Sequence, residues 1–317
     1  MEDDATEDKS ICWTSLKDLT FRYYNDNWDT GLLWSWMWKR CSQVERLYVQ
    51  KIDKSTPSLV QAMLDYMHNL EEITIGDDTY PVWAWNPEDK MEDDVVAALL
   101  SGSRRGWISV SVMWTAEFGP GAMNALAMHY STLEDLYIHV NYCISDDVVQ
   151  AVRSCPHLYI LCYTDLCNGN SVLDGEAFID LDPDTGLLKP WLCEGSLRVL
   201  EVKFFGIPRL DLEKRGGEAY PGRGREIQRQ VYDRIARLTR LETLTLGDRF
   251  GGARNDCLEM SLESGLDKLS GLKSLKKLDV RRLDTKIGIK EVQWMVENWP
   301  KLMSSMDLVS IDGTWMR

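Results

Sequence analysis

Residues 133–141, LEDLYIHVN, place apolar side chains at the first, fourth and sixth positions and an asparagine at the ninth. The centre, Leu136-Tyr137-Ile138, alternates as a half-buried strand does, because successive strand side chains point to opposite faces. Asn141 suits the turn that follows, since its side chain can hydrogen-bond nearby backbone. The spacing recurs along the chain. It is carried by Leu16, Leu19 and Phe21; by Val44, Leu47 and Val49; by Leu70, Ile73 and Ile75; and by Trp107, Val110 and Val112. After the copy at Leu133 come Leu158, Leu161 and Tyr163; Leu197, Leu200 and Val202; Leu241, Leu244 and Leu246; and Leu275, Leu278 and Val280. These make nine copies, with a degenerate tenth in KLMSSMDL (301–308). Their central residues lie 28, 26, 37, 26, 25, 39, 44 and 34 positions apart, a base period near 26 with four longer intervals.

Between the strands the spacing changes to that of a helix. Thr56-Pro57 offers a cap and a first-turn proline, and Leu59, Val60, Met63, Met67 and Leu70 then follow one helical face. Ile227, Val231, Ile235 and Leu238 form an i, i+4, i+8, i+11 stripe. Ser145 precedes the acidic turn Asp146-Asp147, which favours the positive end of a helix dipole, and Val148, Val149 and Val152 face one way. Ile289, Val292, Met295 and Trp299 repeat the arrangement before Pro300, which should end that helix. The pattern L-x-x-L-x-L-x-x-N with one strand and one helix per unit is that of a leucine-rich repeat. One unit cannot enclose its own apolar face, so the units must stack. The expected fold is α/β: a leucine-rich-repeat solenoid, or horseshoe, of about ten repeats, with a parallel β-sheet on the concave face and helices on the convex face. A single domain is expected over residues 11–310, with insertions at about 164–195 and 204–228, behind a disordered acidic N-terminus at 1–10.

Four stretches, WLCEGSLRVLEVKFFGIPR (191–209), VYDRIARLTRLETLTLG (231–247), CLEMSLESGLDKLSGLKSLKKLDV (257–280) and VQWMVENWPKL (292–302), resemble fungal F-box leucine-rich-repeat proteins. The resemblance extends from about residue 131 to 306, and before it only the repeat spacing carries over. It implies a receptor that selects protein substrates for a Skp-cullin-F-box (SCF) ubiquitin ligase. The leucine-proline pair that opens an F-box is not seen in this chain, where WTSLKDLTF is already a repeat. A Skp adaptor and a cullin are therefore expected partners only if an F-box lies outside it. The alternative is a stand-alone recognition or inhibitory scaffold with no ligase attached.

A formal charge of -14 opposes nucleic acid and anionic membranes as partners, because both require a net positive surface. A protein partner with a basic surface is compatible. No apolar run approaches the length of a membrane helix, and MEDDATEDKS lacks the character of a secretory signal. The eight cysteines include no C-x-x-C pair, and there is no N-x-S/T site. Reduced thiols in cytoplasm or nucleus are the expectation.

The third, fifth and seventh positions of each unit should project from the sheet. The side chains expected to meet a partner there are Arg22, Arg46, Tyr48, Gln50, Glu72, Asp135, Tyr137, His139, Glu201, Lys203, Lys277, Asp279 and Arg281. Arg46, Tyr48 and Tyr137 are the first choices for anchors, since arginine and tyrosine commonly dominate interfaces. Thirteen tryptophans, including Trp34, Trp36, Trp38, Trp294 and Trp299, are read as core, although DTGLLWSWMWKR (29–40) is more apolar than one helix face requires.

Catalytic and metal readings are weaker. Cys162, His139 and Asp135 would lie on neighbouring strands, but diagonal neighbours are about 7–8 Å apart, too far for a ready-made hydrogen bond. Asp180, Asp182 and Asp184 alternate as calcium ligands can, yet Thr185 and Trp191 stand where an EF-hand loop needs glycine and glutamate, so a solvated acidic loop is expected. The cysteines lack zinc-site spacing, and GGEAYPGRGR (216–225) lacks the ending of a phosphate loop. No cofactor, no metal and no catalysis are expected.

Overall fold

The structure, a computed structural model, describes residues 13, 15–21, 37–50, 57–76, 90–113, 115–140, 145–164, 173–207, 222–246, 258–280, 283 and 287–306. Each apolar triplet of the repeating pattern brackets or occupies a short strand. The first six are β1 (Asp18–Phe21), β2 (Arg46–Val49), β3 (Glu72–Ile75), β4 (Ser109–Val112), β5 (Asp135–Ile138) and β6 (Ile160–Tyr163). After them come β7 (Leu173–Asp174), β8 (Val199–Val202), β9 (Phe204–Phe205), β10 (Thr243–Thr245), β11 (Lys277–Asp279) and β12 (Ser304–Met306). Ten of these form one sheet in the order β1-β2-β3-β4-β5-β6-β8-β10-β11-β12, while β7 and β9 pair separately. Every neighbouring pair is parallel. Parallel pairing requires the chain to return between strands, and the connecting segments supply that return.

The helices along this return are α1 (Pro57–Tyr66), α2 (Asp93–Leu100), α3 (Pro120–Ala127), α4 (Ser145–Ser154), α5 (Gly175–Ile179), α6 (Arg223–Ala236) and α7 (Ile289–Asn298). From α1 to α6 they pack in chain order, each against the next. The sheet and this helix row enclose one continuous apolar core. The architecture is therefore an α/β leucine-rich-repeat solenoid.

Register is where the sequence spacing becomes packing. Leu19, Leu47, Ile73, Val110, Leu136, Leu161, Leu200, Leu244 and Leu278 align across the sheet. Beyond the half-buried Leu19 on the edge strand, all of them are buried. The backbone fixes the same step at each junction of the main sheet from β1 to β11, because one carbonyl just before a strand accepts two N–H groups from the next unit. Glu45 O accepts from the Glu71 and Glu72 amides at 2.9 and 3.0 Å, and Ile108 O accepts from Glu134 and Asp135 at 2.8 and 3.0 Å. Arg198 O and Glu242 O repeat the arrangement in the units that follow the longer insertions.

Units are also joined through helix ends. The Asp93 carboxylate accepts the Gly119, Gly121 and Ala122 amides of the next unit at 2.8, 2.9 and 3.0 Å, which satisfies orphan donors at the start of α3. A Cβ at Gly119 would sit 2.9 Å from that carboxyl group, so glycine is what permits the approach.

Two helical expectations divide. Ile227, Val231, Ile235 and Leu238 are all buried, as their stripe predicts. In α7 and at its C-cap, Met295 and Trp299 are buried, but Ile289 is 80% exposed and Val292 38% exposed. The helix meets the short 3₁₀ helix Leu266–Gly271 through its C-terminal half, where Trp299 Nε1 donates to Leu269 O at 3.0 Å. Its N-terminal turn has no following helix among the described residues to cover it. Of the tryptophan-rich run, Trp38 is fully buried, and Trp34 and Trp36 lie outside the described residues.

The core makes a direct stability prediction. Leu136 is fully buried at the centre of the sheet, so Leu136→Ala should cost about 2–5 kcal/mol, the usual range for a buried leucine. Urea unfolding followed by circular dichroism checks it, and an unmoved midpoint would contradict the packing.

Candidate functional site

The side chains between the buried positions form three rows on the outer face of the sheet. The first row runs Asp18, Arg46, Glu72, Ser109, Asp135, Ile160, Val199, Thr243 and Lys277. The second runs Thr20, Tyr48, Thr74, Ser111, Tyr137, Cys162, Glu201, Thr245 and Asp279. Gln50, His139 and Lys203 stand just beyond strand ends. Arg22 and Arg281, also expected on this face, lie outside the described residues.

Exposure along the face is uneven. Asp18 and Arg46 are exposed, and Tyr48, Gln50, Glu72, Asp135, Tyr137, His139, Glu201 and Lys277 are half-buried. Two expected contact residues are instead buried. Lys203 is 8% exposed because it lies between β8 and β9, where the chain leaves the main sheet and its carbonyl accepts the Leu173 amide at 2.7 Å. Asp279 is 1% exposed. A charge at that depth has to be tied into the fold, since an uncompensated one costs several kcal/mol. Its row neighbour Thr245 is also buried, and the Thr245 hydroxyl has no hydrogen-bond partner among the described residues. The face is thus more open over β1 to β5 than beyond it.

Within the open part, Arg46 forks onto Asp18. Its Nε donates to one carboxylate oxygen and its Nη2 to the other at 2.8 Å. That pair holds the Asp18 carboxyl below its ordinary range through the hydrogen bond from Arg46. Glu72 and Asp135 receive no such pairing among the described residues. Burial, followed by the charges of Glu134 and Glu72, raises the Asp135 pKa. Tyr137 is pushed up to about 12, chiefly by burial and then by Asp135, Cys162 and Glu201. It therefore remains a neutral phenol at physiological pH. The Tyr137 and His139 rings sit 6.3 Å apart, and His139 Nδ1 lies 3.0 Å from the Thr164 hydroxyl. Cys162, buried at 5% exposure, stands beside Tyr137 in the register.

The acidic insertion behaves differently from a solvated loop. Asp184 is exposed, and Asp182 accepts the Thr185 and Asp184 amides in a local turn. Asp180, however, is buried, with an ion pair to Arg153 and a hydrogen bond from the Trp191 indole at 3.2 Å. Beside it the fully buried Arg234 donates to Lys189 O at 2.6 Å and Ile179 O at 2.7 Å, with its guanidinium 4.4 Å from the Trp191 ring. Burial lowers the Arg234 pKa to about 10. These residues staple the insertion onto α6. Sequence reading missed Arg234, whose only signal is a cation beside the apolar stripe of a helix.

The four described cysteines, Cys41, Cys155, Cys162 and Cys193, are buried free thiols. Burial pushes Cys155 and Cys193 up to about 12, which keeps them as thiols rather than thiolates. No group of three or more metal-ligating side chains occurs among the described residues. No helix among them is long and apolar enough to cross a membrane. Residues 216–221 of the glycine-rich segment lie outside the described residues.

Fold and face together define a leucine-rich-repeat domain. No family model matches the sequence, and no curated protein matches it. Among solved structures it is similar to an internalin from Listeria monocytogenes, at 11% identity and a TM-score of 0.46 over 95% of this chain and 64% of that one. It is also similar to the complex of Rad7 and Elc1 in yeast, at 14% identity and a TM-score of 0.42 over 95% of this chain and 79% of that one. The chain spans less than two thirds of the internalin's length.

Asp135 allows a test of the face electrostatics. Its folded pKa lies above its unfolded value, so the ionised form costs stability above the folded pKa, and that cost disappears below the unfolded one. Asp135→Asn should therefore raise the thermal midpoint at pH 7 and lose that advantage by about pH 3. A variant less stable than the parent at pH 7 would show that the carboxylate has a stabilising partner.

Proposed function

We propose that this chain recognises another protein through the open part of its sheet face, as the substrate-binding part of an F-box protein in an SCF ubiquitin ligase. The observation that carries recognition is the array itself. Polar and aromatic side chains repeat in register on a sheet whose opposite side is the core, so their spacing is set before any partner arrives. Preorganisation of this kind lowers the entropic cost of association. Tyr48 and Tyr137 supply the amphipathic aromatic surface that interfaces favour, and the carboxylates Glu72 and Asp135 favour a basic contact surface.

Support for the ligase assignment is the resemblance of residues 131–306 to fungal F-box leucine-rich-repeat proteins. In this reading the repeats select the substrate and the transfer chemistry belongs to other subunits. Cytoplasm or nucleus is the compartment where such a ligase would meet its substrates.

Co-purification tests the assignment. The full-length protein, tagged and isolated from its own organism, should bring down a Skp adaptor and a cullin together with a substrate. A protein partner recovered reproducibly without either would replace the ligase reading by a stand-alone scaffold.

A further inference from the structure

The geometry points to a slot for an arginine side chain on the face between β2 and β5, so that the partner presents an arginine in an exposed segment. This inference rests on the recognition reading and gives it a chemistry. Tyr48 and Tyr137 occupy the same row three strands apart, and the residues between them in that row are only Thr74 and Ser111. At the usual strand spacing the two tyrosine backbones are about 14 Å apart. The result is a trough with aromatic walls and a floor of small hydroxyl side chains.

Glu72 and Asp135 flank Ser109 in the adjacent row, about 10 Å apart by the same spacing. Part of the trough is already hollow. A pocket of ≈ 170 Å³ is lined by Tyr48, Glu72, Thr74 and Ser109, together with residues of β1 and Arg46. Arg46 hydrogen-bonds Asp18 and also acts electrostatically on Glu72, so three carboxylates, Asp18, Glu72 and Asp135, stand against one arginine among these four residues, and an entering cation meets a net negative charge.

Arginine fits better than lysine for two reasons. Its planar guanidinium can donate along two edges, one toward each carboxylate, and its face can lie against a phenol ring. An ammonium is a single, strongly hydrated point that cannot bridge both. Acidic and purely apolar segments are disfavoured, since either would leave Glu72 and Asp135 desolvated without compensation.

The test uses the whole chain and a defined probe, the peptide acetyl-Gly-Gly-Arg-Gly-Gly-amide, with its citrulline counterpart as an uncharged isostere. In amide-resolved NMR titrations the arginine peptide should give saturable shifts at Tyr48, Thr74, Ser111 and Tyr137. The citrulline peptide should bind about tenfold more weakly or worse, a loss typical of removing a charge-assisted contact. The double variant E72Q/D135N should lose about tenfold for the arginine peptide and nothing for the citrulline peptide, while K277Q should change neither. Equal binding of the two peptides, shifts centred elsewhere, or no saturable shift with arginine would each overturn the slot. If the slot fails but Tyr137→Ala still weakens binding of a partner found by co-purification, recognition by this face stands and only its arginine chemistry falls.

Discussion

Sideways stacking in register is the constraint on which the rest of this molecule depends. A four-residue strand and its returning helix bury too little surface to persist alone, so each unit borrows the apolar side of its neighbours. The shared row from Leu47 to Leu278 is that loan made visible. A slip of one residue would turn the buried row outward and expose the core, so the apolar spacing and the doubled hydrogen bonds at the junctions from β1 to β11 reinforce one register.

Fixing the buried row fixes the opposite face as well. Because strand side chains alternate, the positions that stack into the core determine where Arg46, Tyr48, Glu72, Asp135 and Tyr137 stand. The backbone spacing of these charges is consequently set by the register. Arg46 neutralises Asp18 on the neighbouring strand, whereas Asp135 is half-buried and feels the charges of Glu134 and Glu72. That imbalance makes a cation the complementary charge for this part of the face.

Much of this was legible in the sequence, for a specific reason. The pattern at Leu133, Leu136 and Ile138 reports burial directly, and its repetition implies parallel strands because an intervening helix must return the chain. The projecting residues of β1 to β5 follow by alternation. What the pattern could not show is what happens outside the strict repeat. Lys203 and Asp279 occupy projecting positions yet are buried, since the alternation rule assumes a bare sheet face. Asp180 looked like part of a solvated loop, but Arg153, Trp191 and the adjacent Arg234 depend on contacts between residues tens of positions apart. Ile289 and Val292 follow a buried stripe in sequence, and only the position of α7 in the helix row reveals their exposure.

The stacking itself can be measured without reference to any partner. In protein labelled at the isoleucine, leucine and valine methyl groups, nuclear Overhauser contacts should run in one unbroken chain from Leu47 through Ile73, Val110, Leu136, Leu161, Leu200 and Leu244 to Leu278. Contacts that skip a neighbour, or that join these residues in an antiparallel order, would contradict the account.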